Sequence, residues 1–522
     1  MSGLFRAGIR FAPLFHGFVR HAIQDARERG VARIHYLTRE GEFFKAIHER
    51  IASCSSSSLP DASLLEVSRR STFAASLDTV TTQSLMRIWT LYSTQSMRAL
   101  LVSLNVGPDR FAADAERHGL GFDEPVKYPW LDARVQTFLS DPAVAEPLAV
   151  ACADQRQLLT RYCAQHDISS TSGPVTIVDI GWRGTIQDNL SHLLPDVPIA
   201  GYYMGLLRFL NPQLPTVRKV AFGPDENDPE VTAGHLLRFV TPYEMLTNSS
   251  SGSVIGYQEQ DGTVRAIRQK HVGEETVHRD YTAEFQQGVL SEIPALEARL
   301  DESRVRRQRA LDLWSELAFN PPQKLARAYL ALHHDESFGL GASVHKAVAN
   351  PLSLIVPALF SDDARTRLEQ QLDATTWPAA AVNAYRVRPL ALLALRRRSL
   401  APPAGRFDAL LTQRSGRRRW RQLVQQLRGA RVCCYGAGEF ASAVVRNRDL
   451  SRLNVLGFVD RDPAKVGKRI GAYDIGLPDR LVEWAPDVVL VTVFRNDAVV
   501  KAIESMVREA GLSCAVRADV WE

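Results

Sequence analysis

The feature that most constrains the fold of this 522-residue chain is a strand followed by a turn and a helix. Residues 175–180 form an apolar run rich in β-branched side chains, which predicts a buried strand of a parallel sheet. The turn at 181–185 contains two glycines and leads into a helix pattern that starts near Ile186. A similar unit occurs earlier, from a strand at 33–38 to a helix that starts near Glu42. This alternation predicts an α/β fold with a mostly parallel sheet.

Composition places the chain among ordinary globular proteins. Apolar residues make up 45% of it and charged residues 23%, which excludes a largely disordered protein. A net charge of +5 is small for this length and argues against a dedicated nucleic-acid-binding protein. The six cysteines form no CxxC pair, so reduced thiols in a cytoplasmic protein are expected. No stretch has the roughly 18 uninterrupted apolar residues of a membrane span.

The length predicts more than one domain. Residues 1–345 form the first region, with a helical insertion from about 72 to 170. Residues 346–428 are predicted to be a helical linker rich in arginine, and residues 429–522 to be a Rossmann-like α/β domain. The arginines of the linker have two interpretations, a solvated helix face or a peripheral contact with an anionic membrane surface.

Two loops at predicted strand ends carry residues that suit phosphate chemistry. In an open α/β sheet, ligands bind at the carboxyl ends of the strands. In the first loop, Arg39 offers a planar cation to a phosphate and Gly41 permits a tight turn. In the second, Gly184 and Thr185 begin a helix, whose free N–H groups attract anions. Asp179, at the end of the strand, suits ribose hydroxyls or a metal ion.

These loops resemble those of type I phosphoribosyltransferases. In that family one strand-end loop holds the 5-phosphate of phosphoribosyl pyrophosphate, and an earlier loop holds the pyrophosphate. Asp179 with residues 183–185 matches the first of these loops, and residues 39–41 match the second. The chain departs from the family at Ile180, where a second acidic residue is usual, and at Arg183, which replaces a threonine. The resemblance implies a type I phosphoribosyltransferase-like sheet with large helical insertions.

A closer resemblance is to a domain of proteins encoded in bacterial capsule and O-antigen loci. It covers roughly residues 8–340 and rests on several dispersed segments in the right order, namely 36–41, 68–70, 178–187, 201–205 and 333–339. In that family the domain is often fused to a phosphatase of the haloacid-dehalogenase type. The Asp-x-Asp nucleophile motif of such a phosphatase is not recognised ahead of the domain, which argues against a hydrolase.

The resemblance implies a glycosyl-phosphoribosyltransferase of surface-polysaccharide biosynthesis. Such an enzyme transfers 5-phosphoribofuranose from phosphoribosyl pyrophosphate to a hydroxyl of a free or lipid-linked glycan at the cytoplasmic face of the membrane. A separate phosphatase then removes the 5-phosphate. Mg²⁺ is the implied cofactor, with Asp179 as its ligand. The implied catalytic residues are Asp179, Arg39 and Glu40, where Glu40 serves Mg²⁺ or acts as a base on the acceptor. The implied substrate-binding residues are Gly41, Ser68, Arg69, Arg70, Gly181, Trp182, Arg183, Gly184, Thr185 and Gln187.

Simpler interpretations stand beside these. Asp179 also suits a cap on the turn that follows it, and Trp182 suits packing better than stacking. Arg69 and Arg70 also fit a solvated pair. Glu244 is a weaker acid–base candidate. For the whole chain, the alternatives are a non-catalytic scaffold of the same pathway that binds nucleotides or sugars, and a haloacid-dehalogenase-like hydrolase.

The C-terminal region has a motif of its own. A strand runs into Gly436-x-Gly438-x-x-Ala441, and Asp460 follows about twenty residues later, where the ribose-binding acid of a dinucleotide site is expected. Gly436, Gly438 and Asp460 are therefore the predicted cofactor-binding residues. The segment resembles small Rossmann-like domains attached to sugar-modifying enzymes, some of which bind a nucleotide and some of which have lost any ligand.

Overall fold

The computed structural model divides the chain into two compact units, Met1–Leu400 and Ala401–Glu522. It describes residues 2–228, 234–270, 272–299, 303–331, 333–335, 343–345, 352–395, 407, 411, 414–494 and 497–518. Of the segment 333–339 singled out in the sequence, only the backbone of 333–335 is among them. The arginines at 396–398 lie outside the described residues.

The strands are, in chain order, β1 (Arg33–Leu37), β2 (Asp61–Leu65), β3 (Thr94–Gln95), β4 (Val126–Lys127), β5 (Val175–Asp179), β6 (Ile199–Tyr203), β7 (Val217–Ala221), β8 (Ser253–Gln260), β9 (Thr263–Gln269), β10 (His333–Asp335), β11 (Ser343–His345), β12 (Arg431–Tyr435), β13 (Asn454–Val459), β14 (Arg469–Ile470), β15 (Tyr473–Gly476), β16 (Val488–Val491) and β17 (Ala515–Arg517).

The helices of the first unit are α1 (Gly3–Glu28), α2 (Gly41–Cys54), α3 (Arg69–Phe73), α4 (Thr82–Trp89), α5 (Met97–Ser103), α6 (Ala112–Arg117), α7 (Ala133–Ser140), α8 (Pro142–Gln165), α9 (Thr185–Leu193), α10 (Thr241–Thr247), α11 (Val272–Val277), α12 (Ala283–Ala298), α13 (Ser303–Phe319), α14 (Gln323–Leu330), α15 (Leu352–Ala358), α16 (Asp362–Asp373), α17 (Pro378–Ala384) and α18 (Arg388–Ala394). Those of the second unit are Arg414–Gln426, Glu439–Asn447, Arg480–Trp484 and Asp497–Glu509.

A five-stranded parallel sheet organises the first unit, in the order β2-β1-β5-β6-β7. Strand β2 lies on one side of β1 and β5 on the other, so the chain order of the strands reverses between β1 and β5. Tyr36 of β1 pairs with Val178 of β5, which brings the carboxyl ends of these strands to the same level. In open α/β sheets the crevice at such a reversal is where ligands bind. Both loops predicted to carry the chemistry begin here.

Helices cover both faces of this sheet, which is why β5 and β6 are buried throughout. On one face, apolar side chains of α1, α2, α12 and α13 pack against the strands. On the other, α8, α9 and the hairpin β8-β9 do so. A separate apolar core between Phe73 and Cys152 holds together the helices that precede β5. The carboxyl ends of β1 and β5 are thereby held in place by packing on both faces of the sheet.

The described helices of the predicted linker are packed onto the two units. Helices α15 to α18 contribute to the core of the first unit through Ile355, Leu368, Val382 and Ala391. The helix Arg414–Gln426 places Trp420 and Leu423 in the core of the second unit. Each helix buries an apolar stripe, although the region as a whole is rich in arginine. None of the described helices combines the length and the apolarity that a membrane crossing needs.

The second unit contains a six-stranded sheet in the order β14-β15-β13-β12-β16-β17. All neighbouring strands are parallel except β14 and β15, and the chain order reverses at β12. The α/β fold predicted from the sequence is confirmed. The more specific assignments, to a phosphoribosyltransferase-like and a Rossmann-like fold, stay predictions.

Candidate functional site

The first loop joins β1 to α2 and is fixed at both ends. The buried Thr38 hydroxyl donates a hydrogen bond to a backbone carbonyl beyond β2 (2.8 Å). Arg39 and Glu40 follow, both half-buried, and α2 begins at Gly41. A Cβ atom at position 41 would lie 2.8 Å from the carbonyl carbon of Tyr36. Glycine therefore allows α2 to start close against β1, which fixes where the two charged side chains emerge.

The second loop joins β5 to α9 and requires two glycines. Gly181 has a φ of 135°, and a Cβ there would lie 2.5 Å from a backbone carbonyl oxygen. Gly184 has a φ of 67° and is the N-terminal cap residue of α9, and Thr185 is the first residue of that helix. Because L-residues with side chains rarely adopt these angles, the glycines set the path of the loop. The N-terminus of α9 therefore lies at the carboxyl end of β5, as predicted.

Asp179 ends β5 and is 6% exposed. Its Oδ1 accepts a hydrogen bond from the backbone N–H of Ile180 (2.8 Å), so it does cap the turn. Burial raises the pKa of its carboxyl to about 8, and the nearby Glu40 and Glu244 act in the same direction. The Ile180 amide and Arg69 act in the opposite direction. An approaching cation would therefore stabilise the ionised form of this carboxyl.

Glu244 of α10 belongs to the same site. The indole Nε1–H of Trp182 donates to its Oε1 (2.9 Å). Burial raises the pKa of Glu244, the Trp182 hydrogen bond and the arginines Arg69 and Arg39 lower it, and Glu40 raises it. Trp182 also packs edge-on against another tryptophan of the core, with 6.0 Å between ring centroids. Trp182 thus packs against the core, as the simpler interpretation predicts, and also donates a hydrogen bond to the carboxyl of Glu244.

The neighbouring arginines Arg69 and Arg70 have different surroundings. Ser68 caps α3, since its Oγ accepts from the N–H of Ser71 (3.0 Å). Arg69 lies within electrostatic range of the carboxylates of the site. Arg70 instead donates from Nε to Oδ1 of Asn105 (2.9 Å), in the chain segment that precedes β5. Arg69 is therefore the member of the pair that faces the site, while Ser68 and Arg70 stabilise the surrounding fold.

Gln187 is fully buried under the sheet rather than exposed to the loop. Its Nε2 donates to the carbonyl oxygens of Ile199 (2.7 Å) and Arg218 (3.1 Å), and its Oε1 accepts from the hydroxyl of Tyr203 (2.7 Å). These bonds fix α9 to β6 and β7. The predicted substrate-binding residue Gln187 thus anchors the helix that carries the loop.

A buried lysine that the sequence did not single out supports the same loop. Lys219 of β7 has a side chain only 2% exposed, and its Nζ lies 2.6 Å from Oδ1 of Asp188 in α9. The same Nζ donates to the backbone carbonyl oxygen of Arg183 (2.9 Å). The guanidinium of Arg183 donates to the carbonyl oxygen of Arg208, outside the loop. A single lysine within a short strand gives no sequence signal for this role, because both of its partners come from other elements.

Five ionisable side chains thus gather at the carboxyl ends of β1 and β5, the carboxyls of Asp179, Glu40 and Glu244 and the guanidinium groups of Arg39 and Arg69. Among the residues that the structure describes, no three His, Cys, Asp or Glu side chains are arranged to hold a metal ion by themselves. Mg²⁺ commonly needs only one or two protein carboxylates when substrate phosphates and water complete its shell. The oxygen donors of Asp179 and Glu40 fit that mode of binding.

In the second unit, the predicted glycine loop follows β12, and Gly436 has a φ of 100°. Asp460 lies beside this loop, and its carboxylate accepts from the N–H of Ala437 (2.8 Å) and from Nζ of Lys465 (2.8 Å). Burial alone would raise the pKa of Asp460, but these bonds and the amide of Asp462 hold it below its usual value. A ribose hydroxyl would have to compete with Lys465 for this carboxylate, and nucleotide binding here stays a prediction.

Comparison with known proteins adds nothing to these assignments, since no protein-family model matches the chain and no curated protein shows significant sequence similarity to it.

Proposed function

We propose that this protein transfers 5-phosphoribofuranose from phosphoribosyl pyrophosphate to a glycan hydroxyl in bacterial surface-polysaccharide biosynthesis. The observation that carries the proposal is the mixed-charge cluster of Asp179, Glu40, Glu244, Arg39 and Arg69 at the reversal point of the sheet. The donor is anionic at both ends, and its sugar becomes positively charged as the reaction proceeds. Cations for the phosphates beside carboxylates for the sugar are the groups that such a donor requires.

The arrangement of these groups favours one orientation of the proposed donor. The free N–H groups at the start of α9, at Gly184 and Thr185, would bind the 5-phosphate. Asp179, at the end of β5, would bind the ribose hydroxyls. Arg39 and Arg69 would face the pyrophosphate from the ends of the neighbouring elements. In this placement each anionic end of the donor meets hydrogen-bond donors or guanidinium groups, and the uncharged ribose hydroxyls meet the carboxyl of Asp179.

The chemistry follows from this placement. The bond between C1 and the pyrophosphate oxygen breaks, and its electron pair leaves with pyrophosphate. The acceptor oxygen bonds to C1 and gives up its proton. Arg39 and Arg69 neutralise the leaving group, and the carboxyl of Asp179 stabilises positive charge on the ribose ring. Mg²⁺, when bound through Asp179 and Glu40, supplies further positive charge to the pyrophosphate. The product retains a 5-phosphate, so a separate phosphatase must act after this enzyme.

Calorimetric titration of phosphoribosyl pyrophosphate with Mg²⁺ tests the donor assignment. Wild-type protein is expected to bind it in the micromolar range, which corresponds to about −8 kcal/mol. The variants Arg39→Ala and Arg69→Ala are expected to bind at least about tenfold more weakly, because each loses a charged hydrogen bond. Arg98→Ala is the matched control, since Arg98 pairs with Asp109 and Asp123 on the surface, and it should bind like the wild type. Absence of binding to the wild type would refute the donor assignment.

A further inference from the structure

The proposed transfer requires a group that accepts the proton of the glycan hydroxyl, and three carboxyls are near enough to be considered. Asp179 is 6% exposed and uses Oδ1 to accept from the Ile180 amide. Glu40 turns back on its own loop, where its Oε2 accepts from the backbone N–H of Arg39 (3.2 Å). Glu244 differs from both, because it belongs to α10 and its carboxyl accepts a hydrogen bond from Trp182 in the loop between β5 and α9.

We infer that Glu244 is the catalytic base that takes the proton from the acceptor hydroxyl, an inference that rests on the proposed function. The Nε1–H of Trp182 fixes Oε1 at 2.9 Å, which orients the carboxylate toward the loop that follows Asp179. That bond uses Oε1, so Oε2 is the oxygen assigned to the acceptor hydroxyl. The proposed donor contacts come from the ends of β1 and β5 and from α3 and α9, which leaves α10 for the acceptor.

The rigidity of α10 supports this role. Its neighbouring side chains Tyr243, Met245 and Leu246 are buried, and the Tyr243 hydroxyl donates to the carbonyl oxygen of Trp314 (2.8 Å). Glu244 is thereby held on an element that is packed into the core. A catalytic base must lie within hydrogen-bond reach of the proton it takes, and an anchored helix keeps it there.

The charges that face Glu244 set its proton affinity. Glu40 and the burial of the site raise its pKa, whereas Arg69, Arg39 and the Trp182 hydrogen bond lower it. Asp179 belongs to the same electrostatic cluster. A base is active when ionised, so the rate of transfer is expected to rise with pH through the pKa of Glu244. Loss of the Trp182 hydrogen bond should raise that pKa and move the rise to higher pH.

Proton transfer to Glu244 requires no further reactant. The acceptor O–H bond breaks as its oxygen bonds to C1, and the proton passes to the carboxylate of Glu244. The electron pair of the C1–O bond leaves with pyrophosphate. The protonated Glu244 then returns its proton to water, which restores the base for the next turnover.

Glu244→Gln tests the assignment, because the amide oxygen still accepts from Trp182 but the side chain cannot take a proton. Pyrophosphate release is measured with a panel of methyl glycosides as acceptors and also with water alone. The variant is expected to lose transfer by about 100-fold, a typical contribution of a general base. Its affinity for phosphoribosyl pyrophosphate with Mg²⁺ should stay within about threefold of the wild type, since donor contacts are intact.

Trp182→Phe provides a second measurement, which a purely structural role would not produce. It removes the N–H donor and keeps an aromatic ring, so the rise of rate with pH should shift to higher pH. Trp314→Phe is the matched control, because the Nε1–H of Trp314 donates to the carbonyl oxygen of Leu236 (3.1 Å) and not to Glu244. Its pH profile should be that of the wild type.

The outcomes separate the two proposals. If the wild type neither binds nor cleaves the donor, the proposed function fails and the role of Glu244 fails with it. If the wild type is active and Glu244→Gln keeps more than about a tenth of its rate, only the role of Glu244 is refuted. The same holds if Glu244→Gln loses donor affinity in parallel with rate, or if Trp182→Phe leaves the pH profile unmoved.

Discussion

Replacement of Asp179 by asparagine is expected to stabilise the first unit, and by more at alkaline pH than at acidic pH. Burial raises the pKa of this carboxyl from 3.8 to about 8 in the folded protein. An acid with a higher pKa in the folded state binds more protons there, so the free energy of unfolding falls as pH rises between these two values. Each pH unit inside the window is worth about 1.4 kcal/mol. From pH 5 to pH 8 the loss amounts to about 4 kcal/mol, which asparagine does not incur.

Thermal unfolding of the wild type and Asp179→Asn at both pH values measures this difference. An entropy of unfolding of about 2 cal/mol/K per residue over the first unit converts about 4 kcal/mol into about 5 °C. The advantage of the variant in Tm should therefore grow by about that amount between pH 5 and pH 8. Asp196→Asn, at an exposed position in the same unit, should show no pH-dependent advantage. An equal difference in Tm at both pH values for Asp179→Asn would show that the pKa of Asp179 is not raised in the folded protein.

Three further predictions concern the loops. Arg69→Ala should weaken donor binding in calorimetry, whereas Arg70→Ala should leave donor binding unchanged and lower Tm, because it loses the hydrogen bond to Asn105. Equal donor affinities for the two variants would show that Arg69 alone does not face the site. Gln187→Ala should cost roughly 3 kcal/mol in denaturant unfolding, since it leaves buried polar groups unsatisfied, and an unchanged midpoint would exclude the anchoring role. Gly184→Ala should lower donor affinity and reduce the free energy of unfolding by at least about 1 kcal/mol, because alanine is strained at a φ of 67°. An unchanged donor affinity would show that this loop does not bind the phosphate.

The parts of the fold and site that depend on local sequence were predictable. The apolar run that became β5 identified the central strand, and the glycines beside it identified the turn into α9. Asp179 and Gly184 were placed correctly at the sheet edge, because the end of a buried strand fixes where the next residues lie. The position of Gly41 followed from the same logic, since a helix that starts directly after a strand needs a residue without a side chain.

The rest depended on contacts between distant segments. Glu244 and Lys219 reach the loop from α10 and β7, and spacing along the chain does not indicate which face of the sheet they approach. Arg69 and Arg70 are adjacent, and successive residues of a helix point about 100° apart. One therefore faces the carboxylates and the other Asn105. Gln187 was predicted to bind substrate, but it lies in the first turn of α9, and its side chain is hydrogen-bonded to β6 and β7.

The division of the site between the sheet edge and α10 affects how such a protein can change. The groups proposed for the donor are fixed to the strands, and substitutions there disturb the core at the same time. Helix α10 spans only Thr241–Thr247 and contributes a single charged side chain. On the proposed function, new acceptor preferences can therefore arise, in nature or in a mutant library, through residues around this short helix, while the groups proposed to bind phosphoribosyl pyrophosphate stay unchanged.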